Sequence, residues 1–203
     1  FDDPEYRDTA VRLLPIEVNR IVRLADRLRL MAPSEGGNLA VVSLQPLLND
    51  IVAIHSPAAQ EQHVKLSLQC PDELPSILGD PSQLVQLFVN LLKNAIEAMP
   101  DGGTAIIEAE SIVGRSTPGR VAVRVIDEGC GIEPTVRANI FAPFFTTKPS
   151  GTGLGLSICR EIADFHHERL ALLPRGSLGG TIAEVEFPCA STQSTPGLAS
   201  TRS

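Results

Sequence analysis

The segment "PSQLVQLFVNLLKNAIEAM", residues 81–99, constrains this chain more than any other stretch. At about 100° per residue, Leu84, Phe88, Leu91, Ala95 and Ala98 share one side of a helix, while Gln86, Asn90, Lys93, Asn94 and Glu97 share the other. A helix with so continuous an apolar stripe must lie against a second layer. Its start is well signalled: Asp80 stands as N-cap, Pro81 at the first helical position and Gln83 three residues after the cap. The polar stripe admits two readings, a solvated surface or a site, and on the stripe alone they stand about even. Asn is a poor helix former, and a pair at i, i+4 beside Lys is an odd choice for solvation. Neutral amide oxygens and one carboxylate suit a magnesium ion that keeps waters and substrate phosphates, and Lys93 suits a phosphate oxygen.

The flanking sequence supplies the second layer. "LAVVSL", "VKLSLQC" and the short "PSILGD" read as strands, with a helix from Leu44 to about Gln60. "TAIIEAES" and "RVAVRVID" read as neighbouring strands joined by "VGRSTPG", and "RLALLPR" with "TIAEVEFP" as a final pair after a helix from Gly153 to about Phe165. Strands with interspersed helices, several paired as hairpins, predict an α+β domain: a two-layer sandwich of mixed sheet with helices on one face. Of the 203 residues, 43% are hydrophobic, enough for a sizeable core, and the net charge of −7 works against binding nucleic acid or anionic membranes. No apolar run approaches the roughly 20 residues that cross a bilayer, and the opening "FDDPEYRD" is not a signal peptide. The reading is therefore a soluble, cytoplasmic stretch of chain. Cys70, Cys130, Cys159 and Cys189 form no CxxC pair and suggest reduced thiols rather than zinc or a disulfide framework.

Ahead of this domain, Val11, Leu14, Val18, Ile21, Ala25, Leu28 and Ala32 follow the alternating steps of three and four of a heptad seam. A lone helix cannot bury such a seam, so residues 1–36 read as half of a helical hairpin plus linker. Residues 37–190 form the main domain. The tail 191–203, small, polar and Pro-containing, is expected to be disordered.

Two loops complete the pattern. "VIDEGCGI" is a strand ending in Asp127 followed by Gly129 and Gly131; it is either an ordinary tight turn or a carboxylate placed to accept from an exocyclic amine such as that of adenine, with glycines letting a flat ring approach. "IFAPFFTTKPSGTGLGL" carries Phe141, Phe144 and Phe145, then two threonines and Lys148, then Gly151, Gly153 and Gly155 opening a helix whose free N–H groups suit an anion. The glycines are spaced G-x-G-x-G after a loop, which does not support a dinucleotide-binding fold, and no GxxxxGK[ST] exists.

In order, "QLFVNLLKNAIEAM", "DEGCGI", "FAPFFTTK" and "GTGLGLSI" closely resemble the four boxes of the ATP-binding domain of sensor histidine kinases. That superfamily is shared with type II topoisomerases, mismatch-repair ATPases and heat-shock chaperones. The "PFFTTK" form resembles the nitrogen-regulation and dicarboxylate-sensing branch. The resemblance implies a Bergerat-type fold, ATP and Mg2+ as ligands, Asn94 as metal ligand, and Asn90 and Lys93 beside the triphosphate and metal. It further implies Asp127 on the adenine amine, Gly129 and Gly131 in the base pocket, Phe144 and Phe145 as lid anchor, and Gly151, Thr152, Gly153, Leu154 and Gly155 as the phosphate loop. Thr181 would lie near the adenine, Lys148 would contact phosphate and Glu97 would support. Hydrolytic relatives place a Glu one turn before the metal-binding Asn; here Asn90 stands there, and an amide cannot deprotonate water, which favours phosphoryl transfer.

The opening helix resembles the second helix of the dimerisation hairpin, without the first helix and its phospho-accepting histidine. Of His55, His63, His166 and His167, the last two are expected in a turn and the first two at surface positions flanking a helix end. The resulting expectation is a catalytic fragment of a protein-histidine kinase, unable to phosphorylate itself alone. Its expected partners are a phospho-acceptor helix and a response-regulator receiver domain, its parent a homodimer with membrane anchorage left open, and it does not bind nucleic acid. The rivals are an ATPase clamp and a nucleotide-dependent binding module.

Overall fold

The computed structural model describes residues 38–112, 119–148, 151–176 and 179–190. The heptad segment, most of the "VGRSTPG" connection and the tail lie outside the described residues. Ten elements follow in order: β1 (Ala40–Val42), α1 (Leu44–Glu61), β2 (Val64–Gln69), β3 (Ile77–Gly79), α2 (Pro81–Glu97), β4 (Gly103–Ile112), β5 (Arg120–Asp127), α3 (Gly155–Phe165), β6 (Leu170–Pro174) and β7 (Thr181–Pro188). Five strands form one mixed sheet in the order β2-β4-β5-β7-β6, with β2 parallel to β4 and the other pairs antiparallel. The expected α+β sandwich is found. β1 and β3 make a separate antiparallel ladder, which the sequence reading had merged into a single sheet; Ile77 bridges it to Cys189, just past β7.

Strand alternation decides which sheet face meets the helices. Ala105, Ile107 and Ala109 of β4, Val121, Val123 and Val125 of β5, and Ala183, Val185 and Phe187 of β7 are buried on one face. The other face carries ion pairs: Arg124 meets Glu184, Glu110 at 2.5 Å and Glu108 at 3.4 Å, and Arg120 meets Glu168 and, at 3.1 Å, Glu186. Such half-exposed pairs stabilise modestly, about 0–1 kcal/mol each. Their arginine stems also shelter the outer-face Ala122, which is fully buried.

The apolar side of α2 is broader than a single stripe. Leu84, Phe88, Leu91 and Ala95 are buried as expected, and Leu87, Leu92 and Ile96 are buried with them, because α3 covers a second flank. The two helices run antiparallel. The Asp80 N–H at the start of α2 donates to His166 Nε2 just past the end of α3 (3.0 Å), the Cys159 thiol reaches the Leu87 carbonyl (3.7 Å), and Gly155 at the start of α3 faces Asn94. Burial pushes the Cys159 thiol up to about 12, so it is an inert packing group.

His166 lies in the expected turn just past α3, and it is buried there. Its Nε2 accepts from Asp80, so Nδ1 carries the proton and donates to the Ile162 carbonyl at 2.7 Å. His167 follows in the same turn, at φ 58°, with the Glu168 N–H closing back on the Ala163 carbonyl in a Schellman-type end. His55 lies inside α1, its Nδ1 bonded to the Ile51 carbonyl, rather than at a helix end; His63 does follow the end of α1, exposed and at φ 58°. Helix α3 begins at Gly155, two residues later than expected, because Gly153 takes φ 68° and cannot be helical.

Asp80 caps α2 as the sequence indicates. One carboxylate oxygen accepts from the N–H groups of Ser82 and Gln83 and from the Ser82 hydroxyl, and the other from Asn38 N–H. The Ser82 hydroxyl, with the backbone donors, outweighs burial and holds this carboxyl below the usual aspartate range. Asp80→Ala should therefore cost about 1–2 kcal/mol in urea denaturation at neutral pH. Because the folded-state pKa is depressed, the difference from wild type should persist above about pH 4 and shrink as pH falls further. His167→Gly should stabilise by about 1 kcal/mol in the same assay, by relieving a left-handed side chain.

Candidate nucleotide site

The site is assembled where three chain segments meet: the C-terminal half of α2, the end of β5 with its loop, and the start of α3. Asp127, the last residue of β5, is only 5% exposed. Its Oδ1 accepts from the N–H groups of Gly129 (2.8 Å) and Thr181 (3.1 Å), which leaves the second oxygen for a further donor. Burial raises this carboxyl above the ordinary aspartate range, opposed by the two N–H groups and by the charges of Arg175 and Lys148.

Close backbone approaches hold that corner. Gly180, at φ 91°, lies so near the Asp127 carbonyl that a Cβ there would stand 2.1 Å from its oxygen, which is how Thr181 reaches the carboxylate. Gly129 sits against the end of α2, where a Cβ would meet the Ala98 carbonyl at 2.5 Å, and the Cys130 N–H donates to that same carbonyl. Gly131, at φ 74°, lies beside Gly180. The predicted base-pocket glycines and Thr181 are thus gathered around Asp127.

Across the site, the α2 polar stripe divides. Asn90 and Asn94 are half-buried against α3, whereas Lys93 and Glu97 are exposed. The Asn94 amide nitrogen is buried without a hydrogen-bond partner among the described residues. A buried unpaired donor carries a desolvation cost of roughly 1–3 kcal/mol. The amide lies beside Gly155, where an added Cβ would stand 3.6 Å from it, in ordinary van der Waals contact. Helix α3 begins at that point with no side-chain cap on its first N–H groups. An orphan amide and uncapped helix N–H groups together fit an anionic ligand, and the Asn90 and Asn94 oxygens fit a hydrated magnesium ion.

The loop between Phe141 and Gly155 is closed at its base. Phe144, at φ 66°, donates its N–H to the Gly153 carbonyl (2.8 Å), and Gly153 packs so tightly that a Cβ would fall 2.3 Å from Phe144 carbonyl carbon. Of the three rings, Phe141 packs against the core with the Arg160 guanidinium 5.1 Å over it, Phe145 is half-buried, and Phe144, at φ 66°, is 54% exposed. Leu154 is buried in the core, so its contribution to a phosphate loop is backbone only. Thr152 Oγ1 accepts from Leu154 N–H, and the Gly151 N–H closes onto the Lys148 carbonyl. Lys148 itself reaches back to Glu97 (2.7 Å).

Sequence reasoning missed Arg175 and Glu128. Arg175 pairs with Glu128 at 3.0 Å while Glu128 accepts from Thr104 N–H, tying the loop after β5 to the β6–β7 turn and to β4. A single Arg after a strand gives no sequence signal of its own, since its partner is decided by how the sheet brings the turns together.

Comparison with known proteins follows the same lines. Residues 79–191 match the family described as histidine kinase-, DNA gyrase B- and HSP90-like ATPase. The C4-dicarboxylate transport sensor protein DctS of Rhodobacter capsulatus is 32% identical over 192 residues, covering 93% of this chain and 29% of its own length. Among solved structures, full-length ShkA in complex with AMPPNP superposes with a TM-score of 0.80 at 30% identity, over 93% of this chain and 40% of that one. ThkA in complex with the response regulator protein TrrA gives a TM-score of 0.68 at 25% identity, over 94% of this chain and 53% of that one. The chain spans well under half of DctS and of ShkA. With four motifs in order, this sheet topology and these matches, the chain belongs to the histidine kinase-, DNA gyrase B- and HSP90-like ATPase family and carries the ATP-binding catalytic domain of the sensor histidine kinase type.

Proposed function

We propose that this chain binds magnesium-ATP between α2, the Asp127 corner and the 141–155 loop, and presents the γ-phosphoryl group to a histidine on a dimerisation helix, from which it passes to a response-regulator aspartate. The observation that carries this reading is the buried, unpaired Asn94 amide beside Gly155 at the uncapped start of α3. In this reading residues 1–36 are the second helix of the dimerisation hairpin and linker, 37–190 the catalytic domain and 191–203 a tail. The parent is a homodimer and the domain works on the cytoplasmic side; among the described residues no helix is long and apolar enough to cross a membrane.

The mechanism asks the protein for position and charge rather than covalent chemistry. The free oxygen of Asp127 accepts from the adenine amine, and the flat loop of Gly129 and Gly131 admits the ring. Backbone N–H groups at the start of α3 and the Asn94 amide receive phosphate oxygens. Magnesium, held by Asn94 and Asn90, would neutralise charge on the phosphates. Lys93 and Lys148 lie at the rim, and Lys148 exchanges Glu97 for a phosphate oxygen. Asn90, unable to act as a base, leaves the attacking group to be the partner imidazole and disfavours water.

Calorimetric titration with AMPPNP, with and without magnesium, tests the site. Asp127→Asn, which puts a donor opposite the adenine amine, should weaken binding about 10- to 100-fold. Affinity of the wild type should fall on acidification with a midpoint above the ordinary aspartate value of about 3.9, because protonation of the raised carboxyl removes its acceptor. Asn94→Ala should abolish the gain in affinity that magnesium confers and also weaken magnesium-free binding severalfold, because it removes the amide donor to phosphate as well.

Transfer is tested by adding a separately expressed dimerisation hairpin and measuring acid-labile phosphohistidine. The wild type should label the hairpin, and Asn94→Ala should not. Steady phosphate release without labelling, lost in Asn90→Ala, would establish the ATPase clamp instead.

A further inference from the structure

A cavity of about 300 Å3 lies beside β6, bounded by the 132–141 segment and by α3; none of the side chains assigned above to contact the nucleotide lines it, although Ile132 adjoins Gly131 and Phe141 begins the 141–155 loop. Its relation to the strand is unusual. Leu170 and Leu172 pair with Val185 and Ala183 and belong to the buried face of the sheet, whereas Ala171 and Leu173 pair with Glu184 and Ile182 and belong to the opposite face. Successive side chains of a strand point to opposite faces. Residues 170–173 all line the one cavity, so it follows the edge of the strand rather than either face.

That edge is open. β6 ends the five-stranded order and, among the described residues, pairs only with β7. Exposed edges are ordinarily blunted by charges within the strand, prolines or bulges. Here "LALL" carries no charge, Leu173 is 44% exposed, and Pro174 stands only at the far end.

The rim is cationic. Arg137, Arg160 and Arg169 line the cavity, and the Arg160 guanidinium is spread over Phe141. Two carboxylates also line it, but Glu168 is bonded to Arg120, and Asp164 reaches the Arg160 Nε only at 4.0 Å. A cluster of under-neutralised arginines stands out in a chain of net charge −7.

We propose that the edge of β6 receives an extended acidic segment of another protein, which adds to the sheet as a further strand. Main-chain groups of the segment pair with β6, an aliphatic side chain enters the cavity against Ile140, Phe141 and Leu172, and carboxylates at flanking positions meet the three arginines. The recognised pattern is acidic and aliphatic residues in alternation, set by the period of a strand. A polyanion without a peptide backbone, such as RNA or a lipid surface, could use the arginines but not the strand edge.

The test uses the isotopically labelled chain and two synthetic octapeptides, one alternating glutamate with valine and one alternating lysine with valine. The acidic peptide should bind, with backbone shifts and slowed amide exchange confined to residues 170–173 and the adjoining 132–141 segment. Replacing Arg137 and Arg169 together by Glu should weaken that binding about tenfold or more, as reversal of two charged contacts predicts, with the amide spectrum elsewhere unchanged. N-methylation of alternate peptide amides, in either phase, should abolish it in one phase. Any of the following results overturns the proposal: equal binding of the lysine peptide, binding that leaves β6 unprotected, no binding by a folded sample, or self-association of the chain that protects the same amides without peptide and so makes a second copy the occupant.

Discussion

The antiparallel packing of α2 on α3 is the constraint on which the site depends. At one end the Asp80 N–H is bonded to His166, at the middle Cys159 lies against Leu87 and Asn90, and at the other end Gly155 comes to rest beside Asn94. The first two contacts are apolar or fully paired. The third is neither, since the Asn94 amide is buried without a partner. Packing energy spent along the helices thus holds a polar group in a position it would not choose alone, and a helix N-terminus is aimed at the same place. Strain of this kind, made up for elsewhere in the core, is how a binding site differs from the scaffold that carries it.

The Asp127 corner is built on a different principle. A buried carboxylate is tolerable only with donors close by, and here they come from two loops distant in sequence, through Gly129 and Thr181. The close approach of Gly180 to the end of β5 makes the second of these bonds reachable, and the Arg175–Glu128 pair fastens the same loops from outside. One oxygen is consumed in holding the corner together and the other is left for recognition. Before α3 the Phe144 N–H is bonded to the Gly153 carbonyl and Lys148 is paired with Glu97, the latter an exposed contact worth little in net stability.

Much was legible in the chain before its fold. The cap at Asp80, the hairpin partners β4 with β5 and β6 with β7, and the two-layer arrangement all follow from short-range signals: side-chain oxygen next to helix start, alternation within strands, an apolar stripe on α2. Four ordered motifs sufficed to indicate the family. Other features were misjudged for identifiable reasons. Helix α3 starts at Gly155 rather than Gly153, because Gly153 takes φ 68°. His166 does lie in the expected turn, but its burial was not legible, because only the folded chain shows that the start of α2 lies across from it.

The sequence by itself determined element types, the capping of α2, the alternation that leaves one sheet face apolar, and the set of amides, glycines and carboxylate available for chemistry, since each of these depends on neighbours a few residues away. Tertiary structure alone decided that Asn94 would be buried and unpaired beside Gly155, that Thr181 would reach Asp127, that Arg175 would pair with Glu128, and that β6 would pair with β7 alone among the described residues. The physical reason is the same in each case. These are contacts between segments far apart along the chain, and their partners are set by how helices and strands pack, a property of the whole core that no local spacing encodes.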